Sequence, residues 1–351
     1  MEQHFTLRRF NQVLLALLLF FGTLYLAKDF MVPVAIGGLF AMLLAPACRK
    51  LEKWGIHRTI AAIICVLAVV VLLILLIIVL VDQLTSLAYD LPRLDYKLSE
   101  LLNEAHRYVK ENFNVSREEQ NEYIQRSLRS SLQFVGIYLR SLFLFAGSML
   151  VSFVIVMSYT LLFLLYRKKL KNFISRLTDS YDANAHEMVS KITTVASSYI
   201  SGVFLVVFIL TIINTVGLMV IGIDHALLFG LVAGLLNIIP YLGSIAGSLI
   251  PVLFALLTRD SLWTPAVVAI FFLVVQQVES YILTPNITGA KVKLNPMATL
   301  MVLLLGSAIW GIAGMILFVP YLGIAKVIFD NIDRLRPFGF VLGKDGDEEY
   351  G

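Results

Sequence analysis

Apolar residues come in long runs along this chain, and the polar residues fall in the gaps between them. The clear runs occupy about 11–27, 30–47, 59–81, 141–166, 200–222 and 263–283. Each is long enough to cross a hydrocarbon core of about 30 Å as a helix, with the second marginal. Barrel strands alternate every second residue, and these runs do not, so they predict helices. Two longer stretches, 226–258 and 297–328, are each broken near the middle. The first break carries Pro240 and Gly243, the second Gly311 and Gly314. Both read as helical hairpins with arms short for full crossings, which protein or water must line. The expectation is an all-α polytopic membrane protein of about eight transmembrane helices: six clear spans, two broken-helix hairpins and one extramembrane helical segment.

Composition agrees with this reading. Of 351 residues, 59% are apolar and 15% charged, against roughly 25% charged in an ordinary soluble domain. An ordinary cytosolic enzyme, a disordered chain and a fibrous protein are excluded. Arg8 and Arg9 before the first run resemble a signal peptide, but no small-residue cleavage site follows, so a retained first span is expected. Lys and Arg then set the orientation. One side holds Arg8, Arg9, Arg49, Lys50, Lys53, Arg58, Arg167–Lys171, Arg176, Lys191, Lys291, Lys293 and the C-terminal tail. The other side has short loops with Lys28 and Arg259, plus one large segment. The excess of basic residues places both termini in the cytoplasm. Lys291 and Lys293 join that side only if 226–258 crosses an even number of times.

Residues 82–140 carry 17 of the 52 charged residues. Leu84, Leu87, Leu91, Leu94, Leu98, Leu101, Ala105 and Tyr108 recur at steps of three and four, the seam of a coiled coil or helical hairpin. Pro92 is expected to kink or restart that helix. Ser116 and Glu119 form a capping box for a second helix. The seam pairs either within the chain or between protomers. The basic stretch 166–174 reads as a positive-inside anchor or as an amphipathic contact with the inner leaflet. The resulting organisation is N-terminal spans (1–81), an extracytoplasmic helical segment (82–140), a fourth span with a basic linker (141–199), a core with both hairpins (200–335) and a cytoplasmic tail (336–351).

Little in the sequence points to catalysis. There is no phosphate-binding loop, dinucleotide fingerprint or nucleophile elbow, and the five histidines have no metal-ligand spacing. Cys48 and Cys65 lie in or beside apolar runs and read as buried thiols. No cofactor, metal or nucleic-acid partner is expected, and the chain is not read as an enzyme.

Polar residues in the second half sit where lipid penalises them. Asn237 leads into Pro240, Tyr241, Gly243 and Ser244, where a proline frees a carbonyl and a glycine lets the chain turn. Such broken helices offer carbonyls and helix ends to a substrate or ion. A second cluster is Gln276, Gln277, Glu279 and Ser280, running into Pro285 and Asn286. A charge inside a span costs about 2.5–3.5 kcal/mol on insertion scales, which makes Glu279 the coupling candidate. The alternative is that Glu279 lies near the interface and pairs with Lys291 or Lys293. Asn295 and Pro296 open the last hairpin, with Gly306, Gly311 and Gly314 at its centre. Pro240–Gly243 recurs as Pro320–Gly323, a weak echo of paired broken helices. The pairs Gly230/Gly234 and Gly243/Gly247 have the spacing for close helix approach.

The stretch Ile221–Ser244 resembles the signature of the autoinducer-2 exporter (AI-2E) family, the PerM-type permeases. So do Gln277-Val278-Glu279, Leu283–Gly289, Asn295-Pro296, Gly311–Gly314 with Val319-Pro320, Tyr166–Lys168 and Ser198–Gly202. The likeness covers nearly the whole chain and is weakest over 82–140. Asn295 departs from it, since a His is frequent there. The resemblance implies a bacterial inner-membrane protein with about eight helices, assembled as homo-oligomers such as pentamers. It implies export of a small polar signal molecule in some members and sodium(lithium)/proton antiport in others. By analogy the path is lined by Asn237, Pro240, Tyr241, Gly243, Gln277, Glu279, Pro285, Asn286, Gly289 and Pro296, to which the clusters above add Gln276, Gly311, Gly314 and Pro320.

Three functions compete at this point. One is a secondary exporter of a small polar solute, proton- or sodium-coupled through Glu279. Another is a cation/proton antiporter, with a monovalent cation as the substrate. The third is a membrane scaffold that moves nothing and works through 82–140 and the basic stretch.

Overall fold

The computed structural model describes residues 7–113, 152–173, 183–239, 242–259, 261–289 and 294–344. Among the described residues it is helical throughout, with no strand. In chain order the helices are α1 (Leu7–Leu26), α2 (Lys28–Lys53), α3 (Arg58–Phe113), α4 (152–173), α5 (Ala183–Ile221), α6 (Ala226–Leu236), α7 (Leu242–Thr258), α8 (Trp263–Val278), α9 (Pro296–Trp310), α10 (Ile312–Asp330) and α11 (Arg336–Leu342). The protein is an all-α polytopic membrane protein. Five described helical stretches are long and apolar enough to cross a bilayer: Lys28–Lys53, Arg58–Leu87, Met188–Ile221, Trp263–Ile287 and Ile312–Asp330. Large side chains such as Leu72, Leu75, Phe208 and Leu273 stand exposed on them, as lipid-facing positions must.

The first broken stretch folds as a hairpin of two short helices, α6 and α7, of 11 and 17 residues. Arg259, at the end of α7, donates to the Gly222 carbonyl and pairs with Asp224 at 3.2 Å. The start and finish of the hairpin therefore lie at one end of the molecule, as an even number of crossings demands. The second stretch turns at Gly311, whose φ of 61° and ψ of −137° suit glycine. Its second arm, α10, departs from the expectation: at 19 residues it is long enough to span. Pro320 lies fully buried within that continuous helix. The later copy of the Pro240–Gly243 echo thus falls in a helix interior, where neighbouring helices support a buried proline in lipid.

Two other departures concern helix length. α3 continues without a restart through Pro92 to Phe113, 56 residues and roughly 84 Å at 1.5 Å rise. The expected capping box at Ser116 lies outside the described residues. The last long span also continues past 283, through two π-helical turns, Glu279–Leu283 and Pro285–Gly289. The Thr284 N–H reaches five residues back to the Glu279 carbonyl. A wider turn of this kind accommodates Pro285, which has no N–H to give.

Small residues decide which helices meet. In lipid there is no hydrophobic drive between helices, so close backbone approach supplies the contact. α2, α3 and α4 pack through Ala41, Ala45, Cys48, Ala62, Cys65 and Val156. Arg167 of α4 pairs with Glu52 of α2, and Arg58 of α3 donates to the Leu164 and Leu165 carbonyls. Three basic helix ends are thereby gathered at one end of the bundle. α2, α5 and α10 share a second core of Leu39, Ile192, Ala196 and Leu317. The Tyr321 hydroxyl donates to the Ala35 carbonyl at 2.8 Å, and Trp310 Nε1 to the Leu24 carbonyl at 2.9 Å. α9 and α10 touch at Gly306 and Gly314, where a Cβ on Gly306 would lie 2.7 Å from the Gly314 carbonyl carbon. Lys326, 7% exposed on α10, pairs with Asp330 at 2.8 Å.

Candidate functional site

α5, the α6–α7 hairpin and α8 border a cavity of about 410 Å³ that is open on one side. Its shape follows from glycines. A Cβ on Gly230 would lie 2.7 Å from Thr215 Cα, and one on Gly234 would lie 3.1 Å from Thr211 Cα, so both press α6 onto α5. A Cβ on Gly243 would lie 2.7 Å from Asn237 Cα, and one on Gly247 would lie 2.9 Å from Ala233 Cα, so both press α7 onto α6. Both small-residue pairs therefore serve close approach. α8 leans on α5 through Val275 with Leu210, and through the Phe271 ring against Gly217.

The polar lining is Asn214, Asn237, Ser244, Ser248, Gln276 and Glu279; the remaining wall is apolar, including Leu210, Val252, Phe272 and Leu273. Asn237 ends α6, and its backbone N–H returns to the Ala233 carbonyl at 3.2 Å. That leaves its side chain aimed across the cavity, where Nδ2 donates to Glu279 Oε1 at 2.7 Å. Glu279 is half-buried and begins the π-helical turn. A partner among the described residues is thus an amide on the hairpin; Lys291 and Lys293 lie outside them. Gln276 Nε2 donates to Ser280 Oγ at 3.3 Å, one turn along the same helix.

The structure brings Asn237, Gly243, Gln276 and Glu279 to this cavity. Pro240 and Tyr241, between Asn237 and Gly243 in the chain, lie outside the described residues. Gln277 is exposed and points away from the cavity. Pro285 and Gly289 bound the second π-helical turn, and Asn286 Nδ2 turns back to the Ile282 carbonyl at 2.8 Å. Pro296 is the first residue of α9, with Asn295 capping it: Oδ1 accepts from the Ala298 N–H, and Nδ2 donates to the Val341 carbonyl, both at 2.7 Å. Gly311, Gly314 and Pro320 belong to the α9–α10 pair, away from the cavity. Asn214 was not singled out by the sequence reading. It lies buried on α5 with its Oδ1 unpartnered among the described residues, and the signal was present as the polar trio Thr211, Asn214 and Thr215 inside an apolar run.

No group of three or more potential metal ligands occurs among the described residues. An oxygen-rich patch with one carboxylate, set in an apolar cavity, suits reversible binding of a cation or a hydrogen-bond donor.

The sequence model described as AI-2E family transporter matches residues 14–334. A candidate transport protein of Bacillus subtilis, YrrI, is 26% identical over 317 residues, covering 88% of each chain. The Escherichia coli candidate transport protein YhhT is 24% identical over 336 residues, covering 94% of this chain and 93% of its own. A candidate transport protein of Alkalihalophilus pseudofirmus is 25% identical over 334 residues, covering 89% of this chain and 85% of its own. The family match runs through all the described helices from α1 to the end of α10, cavity included, and the chain belongs to the AI-2E transporter family.

Proposed function

We propose that this protein is a secondary transporter of the bacterial inner membrane, with both termini cytoplasmic, and that it exports a small polar solute through the cavity between α5, α6–α7 and α8. Family membership supports transport in general. The observation that carries the specific reading is the Asn237–Glu279 hydrogen bond of 2.7 Å. It joins the tip of a short-armed hairpin to the one ionisable side chain lining the cavity among the described residues. Glu279 is the coupling group in this reading. Protonating or ion-pairing it changes what Asn237 holds, and so links proton or sodium movement to the hairpin tip.

The same carboxylate favours a second reading, sodium(lithium)/proton antiport, in which the cation is itself the substrate. A solute and ion flux screen in proteoliposomes, with and without a pH gradient, separates the two. Export predicts solute counterflow driven by the ion gradient; antiport predicts cation-for-proton exchange without solute. In either case Glu279→Gln is expected to remove the pH and sodium dependence of flux. Flux with that dependence intact in Glu279→Gln removes Glu279 from the coupling role. A non-transporting scaffold predicts no flux at all, and function that survives substitution of Asn237 and Glu279.

A further inference from the structure

The cavity has more than one polar station. Gly217 abuts the Phe271 ring, and Leu210 clusters with Val275, so α5 and α8 run antiparallel along it. Asn214, midway between residues 210 and 217, is therefore level with residue 273 or so, and Glu279 lies about 9 Å farther along the axis at 1.5 Å per residue. Asn214 is 4% exposed, lines the cavity, and its Oδ1 has no hydrogen-bond partner among the described residues. A buried amide oxygen left unmet costs about 1–3 kcal/mol, so a native site that keeps one has a donor for it in use. Ser248 approaches the same depth from α7. It follows Gly247, which abuts Ala233, and the next residue, Gly234, abuts Thr211. Ser248 Oγ donates to the Ile245 carbonyl at 3.1 Å, which leaves its lone pairs as acceptors. Between the stations the wall is apolar, with Leu210, Phe272 and Val275 among its residues.

We propose that Asn214, with Ser248, is a second binding station that accepts the donor end of an elongated solute whose other end sits at Glu279 and Asn237. The chemistry of the two stations names the class. The Glu279 carboxylate takes an ammonium, the apolar wall takes a methylene body, and the uncharged oxygens of Asn214 and Ser248 take a hydroxyl: an amino alcohol. The inference rests on the reading of this cavity as the transport site and specifies its substrate class.

The test is equilibrium binding to the full chain in lipid nanodiscs, with two probes of equal body, 5-amino-1-pentanol and pentylamine. The wild type is expected to bind the amino alcohol about tenfold more tightly, since a site built to hydrogen-bond a hydroxyl rejects an analogue lacking it. Asn214→Leu removes an unmet buried oxygen, so it should fold; it is expected to erase the preference by weakening only the amino alcohol. Asn214→Gln keeps an uncharged amide acceptor and should keep a preference for the amino alcohol. Glu279→Gln should weaken both probes. Equal affinities in the wild type overturn the proposal and assign Asn214 to an ordered water. Absence of binding by either probe, or a preference that survives Asn214→Leu, overturns it as well. If binding discriminates as expected but proteoliposomes move neither probe, the transport reading fails and the station stands. If flux of another solute depends on Glu279 while these probes bind alike, the station alone fails.

Discussion

At the scale of single residues, two kinds of position matter here: those that carry a polar atom into lipid, and those that carry no side chain at all. Asn237 belongs to the first kind, since its amide is the donor Glu279 uses inside the membrane. A hydrogen bond to a charged group is worth about 1.5–3 kcal/mol, so Asn237→Leu is expected to lower coupled flux in proteoliposomes by about tenfold or more at unchanged expression. Gly243 belongs to the second kind. An added Cβ would lie 2.7 Å from the backbone of Asn237, and backbone yields less readily than a side-chain end. Gly243→Ala is expected to cost about 1–3 kcal/mol, read as a lowered thermal midpoint in detergent. Gly22→Ala is the control, because nothing lies within 4 Å of a Cβ there. Much of this was legible beforehand. Asn237 and Glu279 stand out in any list of polar residues inside apolar runs, though not as partners, because 42 residues separate them in the chain. Asn214 was harder to see: one amide among 23 apolar-patterned positions looks like a helix-packing residue until its orphaned oxygen is found facing a cavity.

At the scale of elements, the interrupted helices separate into two kinds that the sequence presents alike. α6–α7 is a hairpin of short arms held by glycines against α5, whereas α9–α10 pairs a shorter helix with one long enough to span. The reason is local. The arms of the first pair end at Leu236 and resume at Leu242, while Pro320 lies within a single helix and is fully buried. Helix pairs without a hydrophobic drive between them depend on contact distance. Gly306 and Gly314 set that distance for α9–α10, each directly against the backbone of the other. Gly314→Leu is therefore expected to part the two helices and lower stability by about 1–3 kcal/mol or more. Thermal unfolding in detergent measures this, and proteoliposome flux shows whether the α9–α10 pair bears on the distant cavity. A flux loss no larger than the stability loss explains would place that pair in a supporting role.

At the scale of the whole molecule, charge placement and fold make the same statement about ends. Glu52–Arg167 and the donation from Arg58 to Leu164 and Leu165 gather the ends of α2, α3 and α4, while Arg259 with Asp224 marks the opposite end of the α6–α7 hairpin. The expected sidedness is checked by single cysteines in a background of Cys48→Ala and Cys65→Ala. In intact spheroplasts a membrane-impermeant maleimide should label Lys28→Cys and Leu262→Cys. Lys53→Cys and Lys168→Cys should stay unlabelled until the membrane is opened. The reverse pattern would invert the orientation; a mixed pattern would break the hairpin reading of 226–258.

The long apolar runs by themselves determined that this chain lives in a bilayer as helices, because lipid leaves every backbone polar group to be paired within its own segment. The same local rule sets out the expected spans, the hairpin breaks and Glu279 as the candidate intramembrane carboxylate of the second half. Tertiary structure alone decided which interruptions share a cavity, because that depends on contacts between helices far apart in the chain. Glycine spacing says that a close approach occurs but not with which partner. Here the partner of α6 is α5, and that packing brings Asn214, Asn237 and Glu279 to one cavity while leaving Gln277, Asn286 and Pro320 outside it.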